Sequence, residues 1–132
     1  MKLILDSNII IAAFATHGIC HSIFEYCISN HEIYISEEIL GEIEHNLASK
    51  IKLPDRIIKE IRTYLLGHCK ISIPTEIESS KCRDESDLHI LGLARNVMAN
   101  IIISGDRDLL VLKEFEVTKI VSSREFWEMV KK

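Results

Sequence analysis

Ile101-Ile102-Ile103-Ser104-Gly105-Asp106-Arg107-Asp108-Leu109-Leu110 reads as a buried strand, a tight turn that carries an acid, and a short helix from Asp108 to Leu112. Three successive isoleucines leave no polar face, as in a parallel strand covered on both sides. The chain opens in the same way. Leu3-Ile4-Leu5 is a short apolar strand ending at Asp6, and the apolar run from about Ser7 to Ala15 predicts a helix packed close behind it.

The remaining segments repeat this alternation. His17 and Gly18 break the chain before a helix whose apolar residues, Ile23, Phe24, Cys27 and Ile28, recur at helical spacing. Ile33 to Ile35 is a second strand, and Ser36 suits the N-cap of a helix with Glu37 and Glu38 in its first turn and Ile39, Leu40, Ile43 and Leu47 as its stripe. Pro54 suits the first turn of another helix and Gly67 its end. Lys70 to Ile73 alternates like a strand and stops at Pro74. Thr75 to Arg83 is the longest loop, and Asp84-Glu85-Ser86-Asp87 opens a helix through Leu88, Leu91, Ala94 and Val97. Val117 to Val121 is the last strand, and Ser122 with Glu125 forms a capping box for a helix from Arg124 to Lys132. Strands alternating with helices predict an α/β chain, a parallel sheet of about five short strands covered on both faces in three layers. No repeat, low-complexity stretch or linker divides it, so 1–132 reads as one domain.

Composition narrows the class. A chain of 132 residues with 47% hydrophobic and 6% aromatic content builds an ordinary core without disulfides or a structural metal. No apolar run reaches the ~18 residues of a membrane span, and the first residues lack the apolar stretch of a signal peptide. Cys20, Cys27, Cys69 and Cys82 make no C-x-x-C pair, so reduced core thiols in the cytoplasm are expected rather than a zinc site. Cys20 and Cys27 share a helix face. A net charge of −4 excludes a broad basic surface for nucleic acid, but not a nuclease whose acids are neutralised by a cation.

The chemistry resides in acids placed at strand ends. Ligands of open parallel sheets bind beyond the carboxyl ends of the strands. Asp6 and Asp106 each follow an apolar strand, and if the first and fourth strands are neighbours, both face one crevice. Asp87, in the first turn of its helix, lies on the same sheet edge. Glu42 borders the buried stripe set by Ile39 and Ile43. Converging carboxylates raise one another's pKa, and Mg²⁺ or Mn²⁺ removes that conflict because hard cations take carboxylate oxygen. Such a site suits phosphodiester hydrolysis.

Four segments in this order resemble PIN (PilT N-terminal) domains, including toxins of the VapC type: Leu5-Asp6-Ser7-Asn8, Ser36-Glu37-Glu38-Ile39-Leu40-Gly41-Glu42, Arg83-Asp84-Glu85-Ser86-Asp87 and Ser104-Gly105-Asp106-Arg107-Asp108-Leu109-Leu110. The last is the most specific. The resemblance implies strand order 3-2-1-4-5 and a Mg²⁺- or Mn²⁺-dependent endoribonuclease acting on RNA, with an antitoxin protein as partner and a homodimer as its assembly. Asp6, Glu42, Asp87 and Asp106 would be the catalytic acids, with Asp6, Asp87 and Asp106 on the metal. Asp108 would be an auxiliary acid, and Asn8 and Ser104 would orient the carboxylates or a bound water. Related sequences often read Arg-Asp-Pro-x-Asp where this one has Arg83-Asp84-Glu85-Ser86-Asp87, which leaves Asp84 as the alternative third acid.

Each feature also has a plainer reading. Asp6 and Asp106 suit turns, Asp84 and Asp87 suit helix caps, and Glu42 suits a solvated helix face. The histidines (17, 21, 31, 45, 68 and 89) show no ligand spacing and suit surface or satisfied core positions, although His45, three residues from Glu42, could approach the site. Lys50, Lys52, Arg56, Lys59 and Arg62 form a basic cluster that is either a solvated face or a seat for the RNA backbone. Phe126 and Trp127 suit core or dimer contacts. Two other functions use similar parts. A Mg²⁺-dependent phosphoryl-transfer domain of the haloacid dehalogenase type needs a second Asp where Asn8 stands, and a response-regulator receiver needs paired acids and a Lys after the last strand, whereas Lys119 lies within it. A non-catalytic PIN-fold binding module is the third reading; retention of all four acids speaks against it.

Overall fold

A computed structural model describes residues 1–16 and 18–131. The break expected at His17 and the terminal Lys132 lie outside the described residues. The elements run β1 (Lys2–Leu5), α1 (Ser7–Ala15), α2 (Ile19–Asn30), β2 (Glu32–Ile35), α3 (Glu37–Ser49), α4 (Asp55–His68), β3 (Lys70–Ile71), α5 (Leu88–Val97), β4 (Ile101–Ile103), α6 (Arg107–Leu110), β5 (Glu114–Phe115), β6 (Thr118–Val121) and α7 (Ser123–Val130). The strands form one sheet in the order β3-β2-β1-β4-β6-β5, parallel except for the β5–β6 pair at the edge. This is the α/β architecture that the alternation predicts. The last expected strand is β6, and the order 3-2-1-4-5 is kept with one strand added outside it.

Leu3, Ile4 and Leu5 of β1 and Ile102 and Ile103 of β4 are all fully buried. Successive strand residues point to opposite faces, so both faces of the sheet centre are covered. Five helices make a connected layer, α1 on α2 and α3, α3 on α4, α2 on α7, while α5 packs directly on β1 and β2. Register places Leu5 opposite Ile103, which brings the carboxyl ends of β1 and β4 level. The expected caps form. Ser36 Oγ accepts the Ile39 N–H at 3.2 Å, and Ser122 with Glu125 makes the reciprocal capping box of α7. Cys27, Cys69 and Cys82 are buried and Cys20 is half-buried, all as free thiols. No single helix among the described residues is long and apolar enough to cross a membrane.

Boundaries differ from the sequence pattern: α6 covers Arg107–Leu110 rather than Asp108 to Leu112, the last strand starts at Thr118 rather than Val117, α7 covers Ser123–Val130, and three further differences lie between α4 and α5. β3 ends at Ile71; the Ser72 N–H still donates to the Ile35 carbonyl at 2.9 Å, while Asn96 Nδ2 of α5 donates to Ser72 Oγ at 2.9 Å and to the Ile73 carbonyl at 2.8 Å. Pro54 stands outside α4, in the N-cap position, and the helix runs through Gly67 to His68. The helix expected from Asp84 begins as a 3-10 turn, Glu85–Asp87, and becomes α5 at Leu88. The loop before it, from Thr75, has a 3-10 turn at Ser79–Lys81 and is pinned by the Thr75 N–H to the Gly92 carbonyl at 3.0 Å.

Candidate active site

Asp6 stands where β1 stops and α1 starts. Its N–H still joins the sheet, donating to the Ile103 carbonyl at 2.9 Å. Its side chain caps α1, with Oδ1 accepting the Ser7 N–H at 2.8 Å, and Oδ2 accepts the Ser104 hydroxyl at 2.7 Å. Ser104 follows β4 and is fully buried. Its Oγ also accepts the Asp106 N–H at 2.9 Å. One hydroxyl thus ties the acid after β1 to the backbone of the acid after β4. Burial pushes the Asp6 carboxyl above its ordinary 3.8; the Ser104 and Ser7 bonds oppose this, and the charges of Glu42 and Asp106 add to it.

Asp106 is half-buried and caps α6, its Oδ1 accepting the Asp108 N–H at 2.8 Å. Asp87 meets it from the start of α5. Asp87 is 8% exposed, and its carboxyl is pushed up from 3.8 to about 7, first by burial, then by a hydrogen bond to Asp106 and by the charges of Asp106, Asp6 and Asp84. Its Oδ2 is buried and has no hydrogen-bond partner among the described residues. Asp106, Asp6 and Asp84 thus all act on the Asp87 carboxyl.

Asp84 behaves differently from Asp87. It is exposed, and its Oδ1 accepts the Ser86 N–H at 3.0 Å and hydroxyl at 2.8 Å, bonds that hold it below the usual carboxylate range. It still borders the pocket, since single oxygens of Asp84, Asp87 and Asp108 lie within 4.8 Å of one another. Asp108 is half-buried and pairs with Arg83 Nε at 3.3 Å. Asn8 is exposed beside Gly105, its Nδ2 3.8 Å from where a Cβ on that glycine would stand.

Glu42 approaches from α3, half-buried, and its Oε2 lies 2.9 Å from His89 Nε2 on α5. Burial works to raise its carboxyl, but the hydrogen bond and charge of His89, together with a bond from Ser7, hold it below the usual range. For His89 the balance is mirrored: burial works to lower the imidazole, and the bond to Glu42 with the charges of Glu42, Asp6 and Glu38 leaves it raised. The sequence singles out His45 near Glu42, yet His45 is exposed, and the histidine that meets Glu42 is His89. The only local sign of its place is that it stands two residues after Asp87, in the helix turn that faces the sheet edge. Ser7 was likewise marked only by following Asp6.

The basic cluster divides. Arg62 is spent on Glu37 and Glu44, at 2.9 and 2.7 Å. Arg56 and Lys59 line a shallow depression on α4 with Glu60 and Thr63. Lys50 alone reaches a groove of about 360 Å³ that starts at Ser7 and Asn8, next to Asp6, and passes Asn46. Lys119, the candidate for a receiver-type lysine, is exposed and pairs with Ile101 at the amino end of β4, away from Asp106. Phe126 is buried in the core, and Trp127 stacks edge-on against Tyr26.

The arrangement gathers oxygen donors on a rigid sheet edge, with the hydroxyls of Ser104 and Ser86, the His89 imidazole and the Arg83 guanidinium around them. A family model described as PIN domain matches residues 2–108, a span that takes in every one of these acids. The fold is similar to that of a chain in the crystal structure of VapBC2 from Rickettsia felis bound to a DNA fragment from their promoter, with a TM-score of 0.66, 18% identity, and coverage of 92% of this chain and 98% of that one. Identity that low speaks to fold alone. Among curated proteins, none matches the chain significantly.

Proposed function

The chain belongs to the PIN-domain family, and we propose that it is a metal-dependent endoribonuclease that hydrolyses RNA phosphodiester bonds as the toxin half of a toxin–antitoxin pair. The observation that carries this reading is the convergence of Asp87, Asp106 and Asp6 on one sheet edge, where burial first, and then the charges of its neighbours, lift Asp87 to about 7. Structural acids are normally spread apart or paired with bases; these act on one another and leave Asp87 Oδ2 without a partner among the described residues.

That unpartnered oxygen, in an all-oxygen set, fits a hard divalent cation. Asp6, Asp87 and Asp106 would hold Mg²⁺ or Mn²⁺, with Asp84 and Asp108 alongside. When bound, such an ion supplies the positive charge that polarises the phosphate and acidifies a nearby water. The chain's own side chains do the rest. Ser104 keeps Asp6 turned into the pocket and fixes the backbone of Asp106. Glu42, held ionised, accepts the proton of an attacking water. Asn8, Asn46 and Lys50 line the groove beside Asp6, where one flanking phosphate of a single strand would lie.

RNA as substrate, an antitoxin as partner, a homodimer and action in the cytoplasm follow from the likeness to VapC-type toxins. The similar fold in the VapBC2 complex supports the antitoxin. The same reading takes 1–132 as a single PIN-like domain. The test is RNA cleavage by the pure protein with Mn²⁺, with EDTA, and with Asp6→Asn. Cleavage should require Mn²⁺ and vanish in the variant. No cleavage, or equal cleavage by Asp6→Asn, ends the proposal.

A further inference from the structure

We propose that His89 is a positioning residue for the reaction, its imidazole holding Glu42 in place on the Asp6 side of the pocket. This rests on the ribonuclease reading above. Glu42 has three rotatable bonds and a side chain 38% exposed, so nothing in its own packing selects one rotamer. One bond does: His89 Nε2 reaches Oε2 at 2.9 Å, across 47 residues of chain. The start of α5 therefore delivers two side chains to the site: Asp87, its N-cap, toward Asp106, and His89 toward Glu42.

Stability does not account for a histidine here. An ion pair with one partner this exposed contributes little to folding. Meanwhile His89 Nδ1 is buried with no hydrogen-bond partner among the described residues, a cost that such a pair does not recover. Methionine at this position would relieve the buried nitrogen and keep the volume. The imidazole is instead aimed by a single bond, and that bond ends on the acid that receives the proton. Holding a reacting group within a narrow geometry is what such outer partners do, and their loss costs roughly 10- to 100-fold in activity.

The experiment compares wild type, His89→Met, His89→Gln, Glu42→Gln and the double variant His89→Met/Glu42→Gln. It measures kcat and KM on RNA at saturating Mn²⁺, Mn²⁺ affinity by calorimetry, and melting temperature. His89→Met should lose about 10- to 100-fold in kcat with KM and Mn²⁺ affinity within about twofold and no fall in melting temperature. His89→Gln, whose amide nitrogen reaches the same point as Nε2, should recover most of the rate. The double variant should be no slower than Glu42→Gln. Ring-nitrogen NMR of the metal-free protein reads the bond without turnover: Nε2 should carry a proton in wild type and lose its protection from exchange in Glu42→Ala. Full kcat in His89→Met, no rescue by Gln, losses that multiply in the double variant, or an unprotonated Nε2 would each overturn the assignment while leaving the nuclease intact. A wild-type protein that cleaves no RNA overturns the parent reading and this one with it.

Discussion

Replacing Asp106 by Asn should make the metal-free protein more stable and the metal-loaded protein weaker. Asn keeps an oxygen to cap α6 through the Asp108 N–H, so the change is mainly one of charge. Asp87 is the group that responds. It ionises at about 7 in the folded protein against an ordinary 3.8, so the fold retains a proton that the unfolded chain has already released. The resulting stabilisation is complete below about pH 4, declines as pH rises, and is gone above about pH 7. At roughly 1.4 kcal/mol per pH unit, the whole gap has a ceiling of about 4 kcal/mol. Burial is the largest cause and persists in the variant, and solvent at the half-buried Asp106 screens the remainder. About 1 to 2 kcal/mol should therefore be recovered. For a chain of this size that is a rise in Tm of about 5 °C at pH 8 in EDTA, shrinking to nothing near pH 4. Mn²⁺ at a hundredfold over its Kd should add about 3 kcal/mol to wild type and far less to Asp106→Asn, reversing their order. Thermal melts at the two pH values, with EDTA and with Mn²⁺, decide it. If the variant gains nothing at pH 8, or gains equally at pH 4, the carboxyls do not repel as described.

Three further substitutions separate the site from the scaffold. Ser104→Ala removes the hydroxyl shared by Asp6 and the Asp106 N–H and should cost about 2 kcal/mol in urea unfolding, with the Asp6 carboxyl, seen by NMR, titrating still higher than in wild type. Gly92→Ala places a Cβ 2.1 Å from the Thr75 carbonyl oxygen, so the loop at Thr75 must lift from α5; a loss of about 2 to 3 kcal/mol is expected, and an unchanged midpoint would show that the loop yields freely. Met98 ends α5 with a φ of 54° and is 65% exposed, so Met98→Gly should raise stability by about 1 kcal/mol without touching Mn²⁺ affinity.

The strands and the acids that end them were legible because each is written in adjacent residues. A run such as Leu3-Ile4-Leu5-Asp6 or Ile101-Ile102-Ile103 needs no distant partner to be read, and the Ser36 and Ser122 caps depend on residues three positions away. The edge strand β5 was not legible, since two residues are too few to show an alternation, and it forms only by folding back on β6 through Glu116, at a φ of 54°. The choice between Asp84 and Asp87 also lay outside local pattern. Both suit a helix start, and they differ in exposure and in which one reaches Asp106. The same holds for the histidines: helical spacing favours His45 beside Glu42, whereas packing of α3 and α5 at the sheet edge brings His89. By itself the sequence determined the alternation of elements and the order of the carboxylates, because hydrophobic periodicity and capping act over a few residues. Tertiary structure alone decided which of those groups touch, because a contact across 47 or 98 residues depends on how the sheet is ordered and how helices settle on it.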